Sequence, residues 1–474
     1  MERAKWLDGL RGVAAAIVAF DHLVEGDVVH PFHSYWAYPP AKNHYWLQLP
    51  PFRILFSVNA MAALFFVLSG YAIALNLLRA RNNSQRRHHH QRQPSTTEEQ
   101  GFFARLSTAA ARRVLRLFLP VLIVAVVSQF LYFVNLYRWQ FDAAVTTERG
   151  IAPWTAPWRH ICYLFSYLAD VINPLSSLEK NLDTRGLNAQ LWAIPATLRG
   201  SGLVYLLIVA TAAWRPRPRL VVLAALSVFF LAIGMWDIFT FIAGLGLAEF
   251  KVAEEAGGLD VDNEKSPSLL PSSSPSSSPS LPSSHPTPNI PSQKYVQPLR
   301  IINLFFFVAG FYLLCLPDDH FIPGGYRFLI PLQPSSWSAT RESGFVAQYS
   351  WKSIGAVLTV FSISNSPALQ HILSSSGVLQ HLGKISFSLY LVHQSVYQLL
   401  REPIKRHIWK TLADYQYPGG HLAERLPFAW AVTWIGTFLL LGPIVVYIAD
   451  EFARYVETKC VTATKELERW LSRK

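Results

Sequence analysis

Apolar runs of 15 to 25 residues recur from one end of this 474-residue chain to the other. One such run is about what a helix needs to cross a hydrocarbon layer, and their repetition leaves little sequence for a water-soluble core. Charged residues make up 15% of the chain, against about 25% in soluble domains, while 51% is hydrophobic. The fold class that follows is all-α, a polytopic bundle of transmembrane helices embedded in a lipid bilayer.

The spans number about ten: Leu7–Val29, Phe52–Leu78, Val114–Tyr137, Ala193–Trp214, Leu220–Trp236, Ile238–Phe250, Leu299–Leu316, Ser350–Ser364, Ile385–Leu400 and Phe428–Ala449. The sixth and eighth are short for a bilayer, which implies tilt or partial burial. Ile161–Ile172 is shorter still and reads as a re-entrant or interfacial helix. Residues 1–450 thus form one transmembrane domain, interrupted by a Ser/Pro-rich linker over 263–294 and followed by a tail over 451–474. The linker composition predicts disorder. The first run carries Arg11, Asp21 and His22 and is followed by no small-residue cleavage site, so it is expected to remain as the first helix.

The net charge of +12 does not point to nucleic acid, because the basic residues cluster between apolar runs. Arg79, Arg81, Arg86, Arg87, Arg92, Arg105, Arg112, Arg113 and Arg116 follow the second span, opposed only by Glu98 and Glu99. Arg215-Pro-Arg217-Pro-Arg219 joins the fourth and fifth. An even number of crossings separates the two loops, so the positive-inside rule puts both, and both termini, in the cytoplasm. Arg401 to Lys410 is basic on the predicted outer side, a conflict with that orientation. Cys162, Cys315 and Cys460 are too few and scattered for a disulfide framework.

Ionisable residues inside a membrane helix are costly and usually face a cavity or a partner. Arg11 and His22 stand eleven residues apart in the first span, 20° past a whole number of helical turns and so on one face, about 16 Å apart along the axis. With Asp8 and Glu25 within about 60° of Arg11, they predict a polar path between the leaflets. An interfacial helix with snorkelling charges is the alternative.

Four segments bring a family into view. Leu7-Asp8-Gly9-Leu10-Arg11-Gly12-Val13-Ala14-Ala15 with His22, Phe65-Phe66-Val67-Leu68-Ser69-Gly70-Tyr71, Arg112-Arg113-Val114-Leu115-Arg116-Leu117-Phe118-Leu119-Pro120, and Leu382-Gly383-Lys384-Ile385-Ser386-Phe387-Ser388-Leu389-Tyr390-Leu391-Val392-His393 occur in this order. Together they resemble the acyltransferase-3 family of integral-membrane O-acyltransferases, in a fungal-like style. The resemblance implies transfer of an acyl group, typically acetyl, from acyl-CoA to a hydroxyl of a carbohydrate or small-molecule acceptor, without a metal.

An imidazole with an ordinary pKa near 6.5 can take a hydroxyl proton at neutral pH, which makes His22 the candidate base. Arg11 either supplies charge to the developing oxyanion or holds the phosphate and pantetheine end of the donor. Arg112, Arg113 and Arg116 are candidate coenzyme A ligands, Arg113 and Arg116 being the better pair because they share a helix face; a plain positive-inside flank is their other role. Ser69, Tyr71, Glu25 and His393 are candidate pocket residues. For Ser69 with Gly70, close packing of the second helix on the first is the stronger expectation. His393 either lines the pocket or bonds to its own backbone.

One departure stands out. Relatives place a glutamate shortly after their Trp-x-Ile-Pro, where Leu191-Trp192-Ala193-Ile194-Pro195-Ala196-Thr197-Leu198-Arg199-Gly200-Ser201 has Thr197. Either Glu25 or Asp237 substitutes, or activity is weakened, or it is lost. The rival functions are a transporter or acyl-relay channel and a catalytically silent family member. His30, His33 and His44 lack the Cys or supporting spacing of a zinc site, and His88-His89-His90 sits in polar chain.

Overall fold

The computed structural model describes residues 4–28, 30–40, 43–90, 96–139, 151–175, 187–264, 293–318, 322–338 and 343–472. Every regular element among them is helical. In chain order the helices are α1 (Lys5–Val24), α2 (Val58–His90), α3 (Thr96–Phe133), α4 (Pro157–Ile172), α5 (Ala193–Ala210), α6 (Pro216–Ala232), α7 (Trp236–Glu264), α8 (Gln293–Leu314), α9 (Ser343–Ser364), α10 (Pro367–Ser375), α11 (Gly377–Ala413), α12 (Pro427–Phe452) and α13 (Thr458–Ser472). Most of the 263–294 linker lies outside the described residues, α7 running on to Glu264 before it.

The starts of these helices are written in the sequence. Proline, whose missing N–H costs nothing at a first turn, opens α4, α6, α10 and α12. The Ser366 and Ser376 hydroxyls accept the backbone N–H of Leu369 and Leu379, capping α10 and α11.

Four helical stretches are long and apolar enough to cross a membrane: Val58–Asn82, Gly101–Phe133, Ala189–Ala210 and Pro427–Trp470. α1 does not join them because Asp8, Arg11 and Asp21 fall within its twenty residues. Each of the ten apolar runs lies largely within one helix, although the boundaries shift. The short sixth run belongs to a 29-residue helix, and the ninth to a 37-residue helix. Residues 451–472 are not a loose tail. A π-helical turn at Ala453–Glu457 joins α12 to α13, which packs on α3.

The basic stretch after the ninth run needs correction. Helix α11 does not end at Leu400, and Arg401 and Lys405 are 1% and 2% exposed. Arg401 Nη2 binds Asp27 Oδ2 at 2.9 Å, and Lys405 Nζ binds Asp27 and Glu402 at 2.5 and 2.6 Å. Both are paired internal charges, so they carry no information about orientation.

What positions the site is the pairing of α1 with α11. Gln380 Nε2 donates to the Lys5 carbonyl, Tyr397 Oη to Ala19 and Arg401 Nε to Leu23, at 2.8, 2.7 and 2.8 Å. Partners rise together along both helices, so the two run parallel. Glycines allow the approach. A Cβ on Gly383 would lie 2.0 Å from the Asp8 carbonyl oxygen, and one on Gly12 would lie 2.4 Å from that of Leu379. α2 and α7 meet in the same way, through Gly70 and Gly244.

α12 returns beside α11, with Asp450 3.8 Å from His381, and Glu468 of α13 reaches Arg112 on α3. The last described helix therefore packs on the basic entry of α3 at the end of the bundle where α1 and α11 begin, here called the inner end.

Candidate active site

Ten residues beyond the Gly12–Gly383 contact, the parallel pair brings two imidazoles together. His22 Nδ1 lies 2.9 Å from His393 Nε2, and the ring planes are within 5° with centroids 5.1 Å apart, so the rings meet edge to edge. His393 is fully buried, and its Nδ1 lies 3.0 Å from the Leu389 carbonyl. A carbonyl only accepts, so His393 Nδ1 carries the hydrogen. In neutral rings His393 Nε2 then holds a lone pair and His22 Nδ1 donates to it. The remaining lone pair falls on His22 Nε2. Of the two roles expected for His393, the structure shows the bond to its own backbone, and it also sets the ring against His22.

The surroundings of the pair come from segments that the motifs only partly announced. Tyr397 packs edge-on against His393 at 5.8 Å. Tyr390, 6.4 Å from His393, donates its hydroxyl to the Gln190 carbonyl, and Gln190 Nε2 donates to Leu391 at 3.1 Å. Asn188 Oδ1 accepts from Ser128 and Ser395 at 3.1 and 3.2 Å. The short turn before α5 is thereby tied to α3 and α11. Sequence reasoning passed over Asn188, Gln190 and Tyr390. The available signal was two amide side chains placed directly before an apolar helix.

The arginines gather elsewhere. Arg11, 4.0 Å from Asp8, is eleven residues towards the inner end from His22. Arg113 Nε donates to Ser201 Oγ at 2.7 Å, and that hydroxyl donates to the Thr197 carbonyl at 2.6 Å. Arg113 lies within electrostatic reach of the Arg11 and Arg116 guanidinium groups. Arg112 turns instead to Glu468, Nε to Oε2 at 2.5 Å. The three basic residues thus divide, with Arg113 and Arg116 beside Arg11 and Arg112 tied to the C-terminal helix.

Other candidates separate as well. Tyr71 is buried edge-on against Trp6, ring centroids 5.7 Å apart. Trp6 is sixteen residues, about 24 Å along the axis, from His22, so Tyr71 belongs to inner-end packing. Ser69 adjoins Gly70, whose close contact is with Phe241 of α7 and not with the first helix, where the packing was expected. Glu25 closes the other end of α1, its carbonyl accepting from Arg401 Nη2 at 3.0 Å. Its Oε2 is buried without a hydrogen-bond partner among the described residues.

Thr197 bonds only within its own helix, Oγ1 to the Ala193 carbonyl at 2.7 Å. The neighbouring Arg199 finds a carboxylate across the bundle, its Nε and Nη2 3.2 and 2.5 Å from Asp237 Oδ2. Of the two acids considered as replacements for the missing glutamate, Asp237 is the one that pairs with an arginine of this segment. Among the described residues no three His, Cys, Asp or Glu side chains converge as metal ligands.

Comparison with known proteins identifies the family of the chain. The O-acetyltransferase PaAT-1 of Phomopsis amygdali is 24% identical over 98% of this chain and 84% of its own length. The acyltransferase clz18 of Cochliobolus lunatus is 25% identical over 96% and 94%. The acyltransferase R4 of Phoma sp. (strain ATCC 20986 / MF5453) is 24% identical over 82% and 81%. No solved structure matches. The acyltransferase domain of the acyltransferase-3 family matches residues 4–449, which takes in both histidines, the arginine cluster and all four motifs. With its apolar helices, the chain is a membrane protein and an enzyme that transfers acyl groups, and it belongs to the acyltransferase-3 family.

Proposed function

We propose that this protein is a multi-pass membrane O-acyltransferase that moves an acyl group, acetyl in the first instance, from acyl-CoA to a hydroxyl on a carbohydrate or small-molecule acceptor. The observation that carries the proposal is the directed hydrogen-bond chain from His22 through His393 to the Leu389 carbonyl. It presents a ring nitrogen able to accept a proton and fixes the ring that carries it.

In the proposed reaction His22 Nε2 takes the acceptor's hydroxyl proton as the oxygen bonds to the thioester carbonyl carbon. The carbon–sulfur bond then breaks, and the departing thiolate recovers the proton from His22, leaving the ester and free coenzyme A. The imidazolium formed in between is stabilised through Nδ1 by His393, which acts as a positioning residue. Arg11 is too far along α1 to meet the oxyanion beside His22. It is assigned to the donor instead, with Arg113 and Arg116. A donor with phosphates at one end and its thioester at the end of a long flexible arm suits the separation between the arginines and the imidazoles. The arginines then mark the cytoplasmic mouth, and both termini lie on that side.

The purified full-length protein in detergent, given acetyl-CoA and a panel of hydroxylated acceptors, should release coenzyme A and form an acylated product. His22→Ala should reduce both to background. Turnover that His22→Ala leaves intact would overturn the proposal, and proton-coupled uptake into vesicles without a thioester would favour a transporter.

A further inference from the structure

A second cluster of charge sits where α2, α6 and α7 meet. Arg81 Nη2 donates to Glu249 Oε1 and Oε2 at 2.9 and 2.7 Å. Arg219 Nε lies 3.1 Å from Glu249 Oε1, off the direction of a hydrogen bond. Arg81, Arg219 and Glu249 are 3%, 1% and 2% exposed. One carboxylate therefore faces two guanidinium groups, and the trio carries an excess positive charge away from water. Such a charge is costly unless something pairs with it.

The hydrogen-bond inventory points the same way. Nε and Nη1 of Arg81, and Nε and Nη1 of Arg219, are all buried without a hydrogen-bond partner among the described residues. Buried donors are normally satisfied, so four unused ones on two neighbouring arginines ask for an acceptor. The nearby acid is already engaged: Glu255 is held by Arg79 at 3.0 and 2.6 Å. Guanidinium forks match the oxygens of carboxylates and phosphates, and Glu249 and Glu255 already use their carboxylates on arginines.

We propose that Arg81 and Arg219 form a phosphate-binding site, beside Glu249 and separate from the histidine pair. Two molecules could bring that phosphate: the nucleotide end of an acyl-CoA donor, or the headgroup of an anionic phospholipid. The first source rests on the acyl-transfer proposal above; the second does not.

The test uses the full-length protein and measures binding rather than turnover. One arm titrates adenosine bisphosphate, the nucleotide end of coenzyme A, into protein in detergent. The other compares nanodiscs of phosphatidylcholine with nanodiscs containing phosphatidate. One probe should bind and raise the unfolding temperature of the wild type. Arg219→Gln should weaken that binding about tenfold or more, the loss expected for a charged hydrogen bond. Glu249→Gln removes the competing carboxylate and should leave binding as tight or tighter. Where Arg219→Gln fails to fold, Arg219→Lys keeps the charge but loses the fork, and should still weaken binding severalfold.

Failure of both probes to bind overturns the site, as does binding that neither Arg219 variant weakens. Binding of adenosine bisphosphate assigns the site to the donor, and binding of phosphatidate alone assigns it to lipid. Loss of acyl transfer with binding intact would count against the catalytic proposal only.

Discussion

Gly383→Ala is the sharpest test of how the two imidazoles are held. The added Cβ would sit 2.0 Å from the Asp8 carbonyl oxygen and 2.5 Å from its carbon, and both are backbone atoms. Ordinary contact begins near 3.4 Å, so α1 and α11 must separate by about 1.4 Å at this point. Alanine otherwise favours a helix over glycine by about 1 kcal/mol, whereas overpacking a tight interior costs about 1–3 kcal/mol. The expected net effect on stability is therefore modest, while the geometry suffers. His22 and His393 now meet at 2.9 Å, and even two-thirds of that separation carried to their level would take them beyond hydrogen-bond range. A displacement of about 1 Å in a catalytic group can cost about a hundredfold in rate. The assay is coenzyme A release from acetyl-CoA, followed chromatographically, with the unfolding temperature read in the same detergent. Gly383→Ala should lower kcat about a hundredfold and leave KM for the donor within about threefold. Gly377→Ala, where an added Cβ meets nothing within 4 Å, is the control on the same helix and should behave as wild type. Wild-type turnover by a folded Gly383→Ala protein would refute the claim that this contact sets the spacing of the histidines.

Three further outcomes are expected. Arg113→Gln should raise KM for acetyl-CoA about tenfold, by loss of a charged contact, while Arg112→Gln, whose partner is Glu468, should leave it unchanged in steady-state kinetics. Asp237→Asn should lower the unfolding temperature and turnover because it takes the buried negative charge away from Arg199, whereas Thr197→Val removes an intrahelical bond and should keep turnover within about threefold. Arg401→Gln should destabilise the protein by about 3–5 kcal/mol in denaturant titration, because it leaves Asp27 and Glu402 short of a buried cation; a loss below 1 kcal/mol would show that Lys405 alone satisfies them.

The helical class, the family and the shared face of Arg113 and Arg116 were legible before any coordinates. A wheel fixes which side of its own helix a residue occupies. It does not say which neighbour stands there, so His22 and His393 could each be singled out without their contact being foreseen. Arg112 differs from Arg113 by 100° of turn, enough to deliver it to Glu468, 356 positions away. The flank from Arg401 to Lys410 looked like an exposed basic loop because hydropathy registers a charge and not its partner. Arg401 is matched by Asp27, 374 positions earlier, and by Trp139, over whose ring its guanidinium sits at 3.9 Å. Asn188 and Gln190 escaped notice for a related reason, since amides in a turn look like solvated loop until their acceptors and donors are known.

The union of α1 with α11 also bears on biogenesis. His22 and His393 are separated by 371 positions, so the ribosome delivers one long before the other. During that interval the opening segment must lodge in or beside the lipid with Arg11, Asp21 and His22 uncompensated by their eventual neighbours. A nascent chain released before Gly377 would keep many of its helices yet hold only the first ring of the pair. Only once α11 has been made can the two rings meet.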